Sequence, residues 1–314
     1  MGRAFIFPGQ GSQIIGMGRK VYDNYPEAAD VFRIVDEALG ENLSDLIFNG
    51  SEENLRLTVN AQPALMATSI AILRAIETES GYSIDNLVSF VAGHSLGEYS
   101  ALVAANALEI SDAAKLLRLR GEAMQSAVPV GEGGMAALIG TDMAVAEEIA
   151  LKSSIKGVCE IANDNAPGQV VLSGNRVAIE YAITIAKELG VKRAVNLPVS
   201  APFHCSLMIS AAEKMDNALK TVNLNKPLVP IVNNVTATSE QSEEKLRQLL
   251  VKQVTDRVRW REGIEYIKNC KITEIIEIGP GNVLSGLCKR IAPSLKTKTI
   301  SLPEDIRNFL SDIR

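Results

Sequence analysis

Apolar residues recur along the chain in two alternating spacings, and their order predicts an α/β fold. Short apolar runs at residues 4–7, 87–92 and 272–278 are typical of buried strands. Apolar residues at helical spacing follow Pro26 and again follow Pro63. Strands that alternate with helices indicate a mostly parallel sheet covered by helices. Later in the chain, helices are predicted over residues 204–219, 242–254 and 283–291.

The middle of the chain has a different order of elements. The predicted elements are a strand at 135–139, a helix at 142–152, strands at 157–162 and 169–173 around a turn at 163–168, a helix at 175–189 and a strand at 191–197. Thr141 is the expected N-cap of the first helix, and Gly190 ends the second. The order β-α-β-β-α-β is the ferredoxin-like signature. We therefore predict an inserted subdomain at residues 128–199 in a larger α/β domain formed by residues 1–127 and 200–314.

The composition excludes several classes of protein. The 314 residues carry 32 Lys and Arg against 37 Asp and Glu, which gives a formal net charge of −5. Proteins that bind DNA or RNA usually have a basic surplus, because neutralising phosphate supplies much of their affinity. We therefore expect no nucleic acid partner. The four cysteines form no CxxC pair, which argues against a disulfide framework, a zinc site or a redox pair.

The sequence predicts no targeting or membrane segment. The apolar run in the N-terminal segment is too short for a signal peptide. The apolar stretch at residues 87–110 is interrupted by His94 and Glu98, and no run of about 18 apolar residues predicts a membrane span. We expect a soluble, cytoplasmic protein that makes no contact with a membrane.

The strongest candidate for chemistry is the turn Gly93-His94-Ser95-Leu96-Gly97, which matches G-x-S-x-G. It follows a predicted strand and opens a predicted helix, which is the context of a nucleophile elbow. Small residues allow the turn to be sharp, so that the serine hydroxyl projects from the edge of the sheet. The free amides of the helix N-terminus then favour negative charge beside it. Ser95 is therefore the predicted nucleophile.

A nucleophilic serine needs a base, and the sequence contains two histidines. His94 adjoins Ser95 in the turn, where neighbouring side chains diverge, so His204 is the better candidate. A third group usually orients the histidine. Asp142 and Asp164 lie between the serine and His204, but both belong to the predicted insert. A backbone or amide oxygen is the alternative.

Two further features have more than one interpretation. The glycine turn around Gln10 follows the first strand but matches neither nucleotide-binding fingerprint. Such a turn can present a backbone N–H to an oxyanion, or it can be an ordinary turn. Arg118 and Arg120 lie two residues apart on a predicted helix and point in different directions. Their spacing alone favours two surface residues.

The ordered set of motifs resembles the malonyl-CoA:acyl carrier protein transacylase family along the whole chain. The matching segments are Phe7-Pro8-Gly9-Gln10-Gly11-Ser12-Gln13, Gln62-Pro63-Ala64, Gly93-His94-Ser95-Leu96-Gly97-Glu98-Tyr99, Arg120-Gly121, Asn165-Ala166-Pro167-Gly168-Gln169-Val170-Val171, Phe203-His204-Cys205 and Gly279-Pro280-Gly281-Asn282-Val283-Leu284. The fold of this family is a large α/β-hydrolase-like domain with a parallel sheet and a ferredoxin-like insert. The resemblance therefore implies the same division of the chain as the pattern of strands and helices.

The resemblance also implies roles in catalysis for individual residues. Ser95 is the implied nucleophile, and His204 is the implied general base and then acid. The backbone amides of Gln10 and Leu96 are the implied oxyanion hole. The backbone carbonyl of Gln253 is implied to orient the histidine in place of a carboxylate.

The resemblance further implies two residues that select the substrate. Arg120 matches the arginine that binds the free malonyl carboxylate, because a planar fork of donors suits a carboxylate. Phe203 matches a bulky ring that disfavours an α-methyl group.

The implied activity is transfer of the malonyl group from malonyl-CoA to the phosphopantetheine thiol of holo-acyl carrier protein. It proceeds by a ping-pong route through a malonyl-serine ester and supplies fatty-acid biosynthesis. No metal and no other cofactor is expected, and the chain is expected to be a monomer. Carrier proteins are typically acidic, and the basic pairs that are candidates for docking are Lys192, Arg193, Lys289 and Arg290. Ordinary solvated charge is the alternative for these four residues.

Three other functions remain open from the sequence. A serine esterase or thioesterase shares G-x-S-x-G and differs in using water as the acceptor. A non-catalytic module that binds carrier protein or CoA would need neither Ser95 nor His204. The same domain can also serve a polyketide pathway.

Overall fold

The computed structural model describes residues 2–199 and 201–313, whose strands form two sheets. The strands are β1 Gly2–Phe7, β2 Phe90–Gly93, β3 Gly133–Ile139, β4 Cys159–Ala166, β5 Gln169–Asn175, β6 Arg193–Asn196, β7 Ile231–Val232, β8 Ser239–Glu240, β9 Ile272–Ile278 and β10 Lys296–Ile300. The helices are α1 Arg19–Asn24, α2 Pro26–Leu39, α3 Leu43–Asn49, α4 Glu52–Arg56, α5 Thr58–Ser80, α6 Ile84–Leu87, α7 Gly97–Ala104, α8 Ile110–Ser126, α9 Met143–Ser153, α10 Arg176–Glu188, α11 Ile209–Leu219, α12 Glu243–Gln253, α13 Trp260–Asn269, α14 Val283–Ile291 and α15 Pro303–Ile313.

The larger sheet has the strand order β10-β9-β1-β2-β7-β8, and its neighbouring strands are parallel except for the pair β7 and β8. Residues 4–7 of β1 are fully buried, as is typical of a parallel strand covered on both faces. The strand predicted from residue 87 begins only at Phe90, because α6 extends to Leu87 and two residues separate it from β2. Gly93 pairs with Phe7, so the turn after β2 lies at the carboxyl edge of the sheet.

The smaller sheet has the order β4-β5-β3-β6 and is antiparallel throughout. Its elements follow the predicted order β-α-β-β-α-β. Alternate residues of β3 face opposite sides, as in any strand. Ala136 and Leu138 pack against α9 and α10, while Met135 and Ala137 join the core of the larger sheet. The fold is therefore a mixed α/β fold with a largely parallel sheet and a separate antiparallel sheet.

The central helix of the larger core is α5. It begins at Thr58, so Pro63 lies inside the helix and not before it as the sequence analysis predicts. A proline inside a helix removes one backbone hydrogen bond. Burial of residues 61–73 on all sides offsets this loss. By length and composition α5 could cross a membrane, but 83% of its apolar window is buried inside the protein, as in the core helix of a soluble protein.

Two local predictions in the smaller sheet are wrong. Asp142 caps α9 in place of Thr141, because its Oδ1 accepts a hydrogen bond from the N–H of Val145 at 2.9 Å. The turn predicted at 163–168 is much shorter, because β4 continues to Ala166. Polar residues in this part of β4 therefore belong to a strand, and Asn163 forms a parallel bridge with Val258.

Candidate active site

The turn between β2 and α7 holds Ser95 in a backbone conformation that side chains rarely adopt. Its φ is 52°, in the left-handed region. The turn also leaves no room for side chains at its ends. A Cβ on Gly93 would lie 1.9 Å from the carbonyl carbon of Gly97, and a Cβ on Gly97 would lie 2.3 Å from the carbonyl oxygen of Phe7. Close approach of two backbone segments therefore explains both glycines of the predicted elbow.

Asn234, which lies two residues after the neighbouring strand β7, holds this turn. Its Oδ1 accepts a hydrogen bond from the N–H of Ser95 at 2.7 Å, and its Nδ2 donates to the carbonyl oxygen of Gly93 at 2.7 Å. Strained backbone persists only where the surroundings hold it in place. Asn234 was not predicted from the sequence. The available signal was its position two residues after a strand, at the carboxyl edge where parallel sheets build their sites.

His204 lies next to the serine hydroxyl, with its Nε2 2.8 Å from Ser95 Oγ. Its Nδ1 lies 2.8 Å from the carbonyl oxygen of Gln253. A carbonyl oxygen only accepts, so Nδ1 carries the proton and Nε2 is free to accept one from the serine. The helix predicted over 204–219 begins instead at Ile209, and His204 has a φ of 59°. The histidine is thus presented by an irregular segment.

The surroundings of His204 keep its ring neutral. Burial, together with the Arg120 cation, lowers the pKa of His204 from 6.5 to about 3. The other histidine, His94, faces the smaller sheet, where its Nε2 lies 2.8 Å from Oδ1 of Asn165. The side chains of His94 and Ser95 therefore have different partners, as the prediction that neighbouring side chains diverge in the turn requires.

Arg120 is buried beside the serine without a carboxylate partner. It is 1% exposed, and its Nη1 donates to Oε1 of Gln62 at 2.7 Å. Its Nη2 donates to Ser95 Oγ at 3.1 Å and to Oε1 of Gln253 at 3.0 Å. In the part of the chain that the structure describes, no Asp or Glu oxygen lies within 4.0 Å of this guanidinium. A buried cation with only neutral partners is suited to bind an anion.

The two-residue spacing of Arg118 and Arg120 favours a surface position for both, and for Arg120 this prediction is wrong. The reason is the close packing of α8 on α5, where a Cβ on Gly121 would lie 2.7 Å from Cα of Val59. This approach encloses the arginine next to the glycine. Arg118 lies on a more open side of α8, is partly buried and donates to Oδ1 of Asn60 at 2.6 Å.

Gln253 connects the base, the cation and the serine. Its carbonyl oxygen holds His204, and its Oε1 accepts from Arg120. Its Nε2 donates to the carbonyl oxygen of Ser95 at 3.1 Å and to Oε2 of Glu98 at 2.7 Å. Glu98 is fully buried, and burial raises the pKa of its carboxyl group to about 7. Glu98 and Gln62 lie within the matching sequence motifs, but no role was predicted for either.

A cavity of about 580 Å3 opens onto these groups. Gln10, Leu96 and Phe203 line it, together with Ser95 and His204. Within the described residues, the amide nitrogens of Gln10 and Leu96 donate no hydrogen bond. Both are therefore available to an oxygen atom of a ligand.

The four basic residues predicted to dock a carrier protein do not line this cavity. Lys192 and Arg193 are exposed at the start of β6, and Lys289 is exposed on α14. The Arg290 guanidinium donates to Oε1 of Gln169 at 2.6 Å and to the carbonyl oxygen of Pro167 at 2.8 Å. It therefore links α14 to the hairpin of the smaller sheet.

The sequence is similar to known proteins over nearly its whole length. The acyl transferase domain family matches residues 4–302. The malonyl CoA-acyl carrier protein transacylase of Bacillus subtilis strain 168 is 47% identical over 312 residues, which cover 99% of this chain and 97% of the relative. The protein of the same name from Escherichia coli strain K12 is 41% identical over 300 residues, which cover 96% of each.

Solved structures have the same fold. The acyl-carrier-protein-S-malonyltransferase of Bartonella henselae superposes with a TM-score of 0.98 at 52% identity, covering 100% of this chain and 99% of that one. A malonyl-transacylase solved in complex with its type II PKS acyl-carrier protein superposes with a TM-score of 0.95 at 40% identity, covering 99% of this chain and 100% of that one.

Proposed function

The chain belongs to the acyl transferase family, and from this premise we propose that it transfers the malonyl group of malonyl-CoA to the phosphopantetheine thiol of acyl carrier protein. The transfer passes through a malonyl ester on Ser95 and supplies malonyl units for fatty-acid synthesis. One observation carries this proposal. The hydroxyl of Ser95 lies 2.8 Å from the base His204 and 3.1 Å from the buried cation Arg120.

The first half of the reaction loads the serine. His204 Nε2 accepts the hydroxyl proton as Ser95 Oγ attacks the thioester carbon, and the carbonyl electrons move onto its oxygen. The amides of Gln10 and Leu96 stabilise that oxyanion, a contribution of about 3–4 kcal/mol for each donor in other enzymes. Collapse of the oxyanion breaks the C–S bond, and the leaving thiolate takes the proton from His204.

The second half runs the same steps in reverse. The carrier-protein thiol gives its proton to His204 and attacks the ester carbon. Collapse then breaks the C–O bond, and the serine oxygen recovers the proton. Since each proton transfer has a protein group to serve it, the proposed ping-pong route needs no metal and no cofactor other than its substrates.

Arg120 supplies the selectivity for malonyl. A malonyl carboxylate gives the Arg120 guanidinium a charged partner in place of neutral ones. An acetyl group has no carboxylate, so the guanidinium keeps only its neutral partners. A site built to bind a charged group discriminates strongly against an analogue that lacks it. We further propose that Phe203 limits the space for an α-methyl branch, because its ring borders the cavity beside the base.

Acyl carrier protein is the partner that the relatives' names support. The type II PKS complex concerns a protein of the same fold and 40% identity. Lys192, Arg193, Lys289 and Arg290 are the docking residues in this proposal, because all four are exposed. A monomeric state and a cytoplasmic location stay predictions.

We also propose the finer description of the fold. Residues 128–199 form a ferredoxin-like insert, and residues 1–127 with 200–314 form an α/β-hydrolase-like domain. The strand order β6-β3-β5-β4 with two helices on one face supports the insert. The serine turn between β2 and α7 supports the hydrolase-like domain.

Intact mass spectrometry tests the function directly. We expect a malonyl adduct after mixing the protein with malonyl-CoA, little adduct with acetyl-CoA, and none on Ser95→Ala. Added holo-acyl carrier protein should discharge the adduct and become malonylated. Steady release of CoA without transfer to the carrier would point to a thioesterase, and no adduct with no CoA release would point to a binding module.

A further inference from the structure

Glu98 is a buried carboxylate behind the site, and it does not line the cavity. Its Oε2 accepts hydrogen bonds from the backbone N–H of Asn234 at 3.0 Å and from Nε2 of Gln253 at 2.7 Å. Asn234 holds the turn of Ser95, while Gln253 holds both the base and Arg120. One carboxylate therefore supports the turn of the nucleophile, the base and the cation.

The second oxygen of Glu98 is different. Oε1 is buried and has no hydrogen-bond partner among the described residues. Buried polar atoms are normally paired, so an unpaired carboxylate oxygen in a tightly bonded network requires an explanation. An oxygen without a donor destabilises the ionised form of the carboxyl group more than its neutral form, and a proton on Oε1 would leave both hydrogen bonds to Oε2 intact. This geometry therefore allows Glu98 to take up a proton without a change in its partners.

The charges that face Glu98 are few. Arg120 is the cation whose charge lowers the pKa of Glu98, against the larger effect of burial. Tyr99 and His204 are the other titratable groups in the network. Burial raises the pKa of Tyr99 to about 12 and lowers that of His204 to about 3, so both are neutral near pH 7. Above the pKa of its carboxyl group, an ionised Glu98 is thus the buried counter-charge of Arg120 in the free protein, although the two do not touch.

A malonyl carboxylate on Arg120 would add a second negative charge to this site. One guanidinium balances one carboxylate, and a like charge nearby favours the neutral form of a carboxyl group. We propose that Glu98 is a positioning residue that takes up one proton from solvent when the malonyl carboxylate binds Arg120. The buried charge then stays balanced, and Gln253 is held in the same position in both states. This inference rests on the proposed malonyl function.

The sign of the pH dependence follows from linkage. Binding of the malonyl carboxylate raises the proton affinity of Glu98. At any pH where Glu98 of the free protein is ionised, binding must therefore take a proton from solvent. The affinity for the malonyl group should therefore fall by up to about tenfold per pH unit above the pKa of Glu98 in the free protein. At lower pH the carboxyl group is already protonated, and the affinity should become independent of pH.

Calorimetry on the Ser95→Ala protein measures this proton directly. Malonyl-CoA is titrated at pH 8 in buffers with different ionisation enthalpies, and the dependence of heat on buffer counts the protons. We expect an uptake close to one proton per malonyl-CoA, and no uptake with acetyl-CoA, which also corrects for titration of the CoA phosphates. In Ser95→Ala with Glu98→Gln, malonyl-CoA should bind with an uptake near zero. The glutamine keeps an acceptor oxygen for Asn234 and Gln253, and a thermal melt checks the fold.

The outcomes separate the two hypotheses. If malonyl-CoA and acetyl-CoA bind the Ser95→Ala protein equally well, the malonyl function is wrong. If malonyl-CoA binds selectively but Glu98→Gln leaves the uptake unchanged, the role of Glu98 is wrong. Should the double variant not fold, the Ser95→Ala protein alone decides, because its uptake must disappear between pH 8 and pH 6. An uptake that persists at pH 6 would overturn the inference.

Discussion

The guanidinium of Arg120 donates a hydrogen bond to the hydroxyl of Ser95, with Nη2 3.1 Å from Oγ. If Arg120 binds the malonyl carboxylate as proposed, this contact sets the length of the acid that the site accepts. In a malonyl ester a single methylene separates the ester carbonyl from the free carboxylate. A cation that touches the nucleophile therefore suits malonyl, whereas a longer dicarboxylic acid would push its carboxylate past the guanidinium.

Replacing Arg120 by lysine should lower kcat/KM for malonyl-CoA by about 100-fold, because loss of a charged two-donor contact costs about 3 kcal/mol. Transfer from acetyl-CoA should change much less. The measurement is the rate of adduct formation with each thioester. Arg118→Lys is the matched control and should behave like the wild type. Equal losses for both thioesters in Arg120→Lys would assign the arginine to structure alone.

The pH profile of acylation should be flat where an ordinary histidine would titrate. Only neutral His204 can accept the serine proton, and its pKa is lowered to about 3. Protonation therefore begins well below pH 5, and the rate at saturating malonyl-CoA should stay constant from pH 8 to pH 5. Rapid-quench mass spectrometry checks this. A fall with a midpoint near the usual histidine pKa would contradict the buried, neutral ring.

Substitution of Asn234 should slow acylation as well as destabilise the fold. Asn234→Ala leaves the N–H of Ser95 and the carbonyl oxygen of Gly93 without their partner. We expect a loss of about 2 kcal/mol in the free energy of unfolding. We also expect a 10- to 100-fold slower acylation, about 1.4–2.7 kcal/mol, because the strained turn relaxes.

Asn233→Ala is the control for that experiment. Among the described residues, Asn233 makes hydrogen bonds only within its own turn, including 2.8 Å contacts from its Nδ2 to Thr236 and Thr238. Its loss should destabilise the protein by a similar amount without slowing acylation at a temperature where both variants are folded. Equal rates for the two variants would remove Asn234 from the site.

Gly121→Ala should separate α8 from α5 and displace Arg120. The added Cβ would lie 2.7 Å from Cα of Val59 and 2.9 Å from the carbonyl oxygen of Thr58. Overpacking of this kind costs about 1–3 kcal/mol, and KM for malonyl-CoA should rise. Gly286→Ala is the matched helical control, because its Cβ meets nothing within 4 Å. That variant should be more stable by about 0.5–1 kcal/mol, with unchanged kinetics.

Reversing the charge of Lys192 and Arg193 to glutamate should raise KM for the carrier protein and leave loading from malonyl-CoA unchanged. The reason is repulsion of an acidic partner at an exposed strand end, so the effect should shrink at high salt. Lys289→Glu is a second test of docking. Arg290 is unsuitable, because it also bonds Gln169 and Pro167. A change confined to malonyl-CoA kinetics would contradict docking at this position.

Local sequence patterns predicted most of the helices and strands. β9 and α14 have the predicted bounds, because an apolar run and a helical stripe record burial directly in the sequence. Other elements were not predicted, among them α13 and β10. The strand β10 alternates exposed lysines with threonines at the edge of the sheet, and such a pattern does not differ from a loop. The helix start predicted after Pro63 was also wrong, because burial of α5 outweighed the preference of proline for the first turn of a helix.

The sequence by itself determined the serine turn and singled out His204, because a G-x-S-x-G turn is a local structure and few histidines compete. It did not determine what surrounds them. The hydrogen bonds from Ser95 to His204 and to Asn234 join residues 109 and 139 positions apart. Burial of Arg120, the unpaired oxygen of Glu98 and the central position of Gln253 depend on how α8, α7 and α12 meet. Spacing along a chain cannot report such contacts, because they arise only when distant segments pack and exclude water.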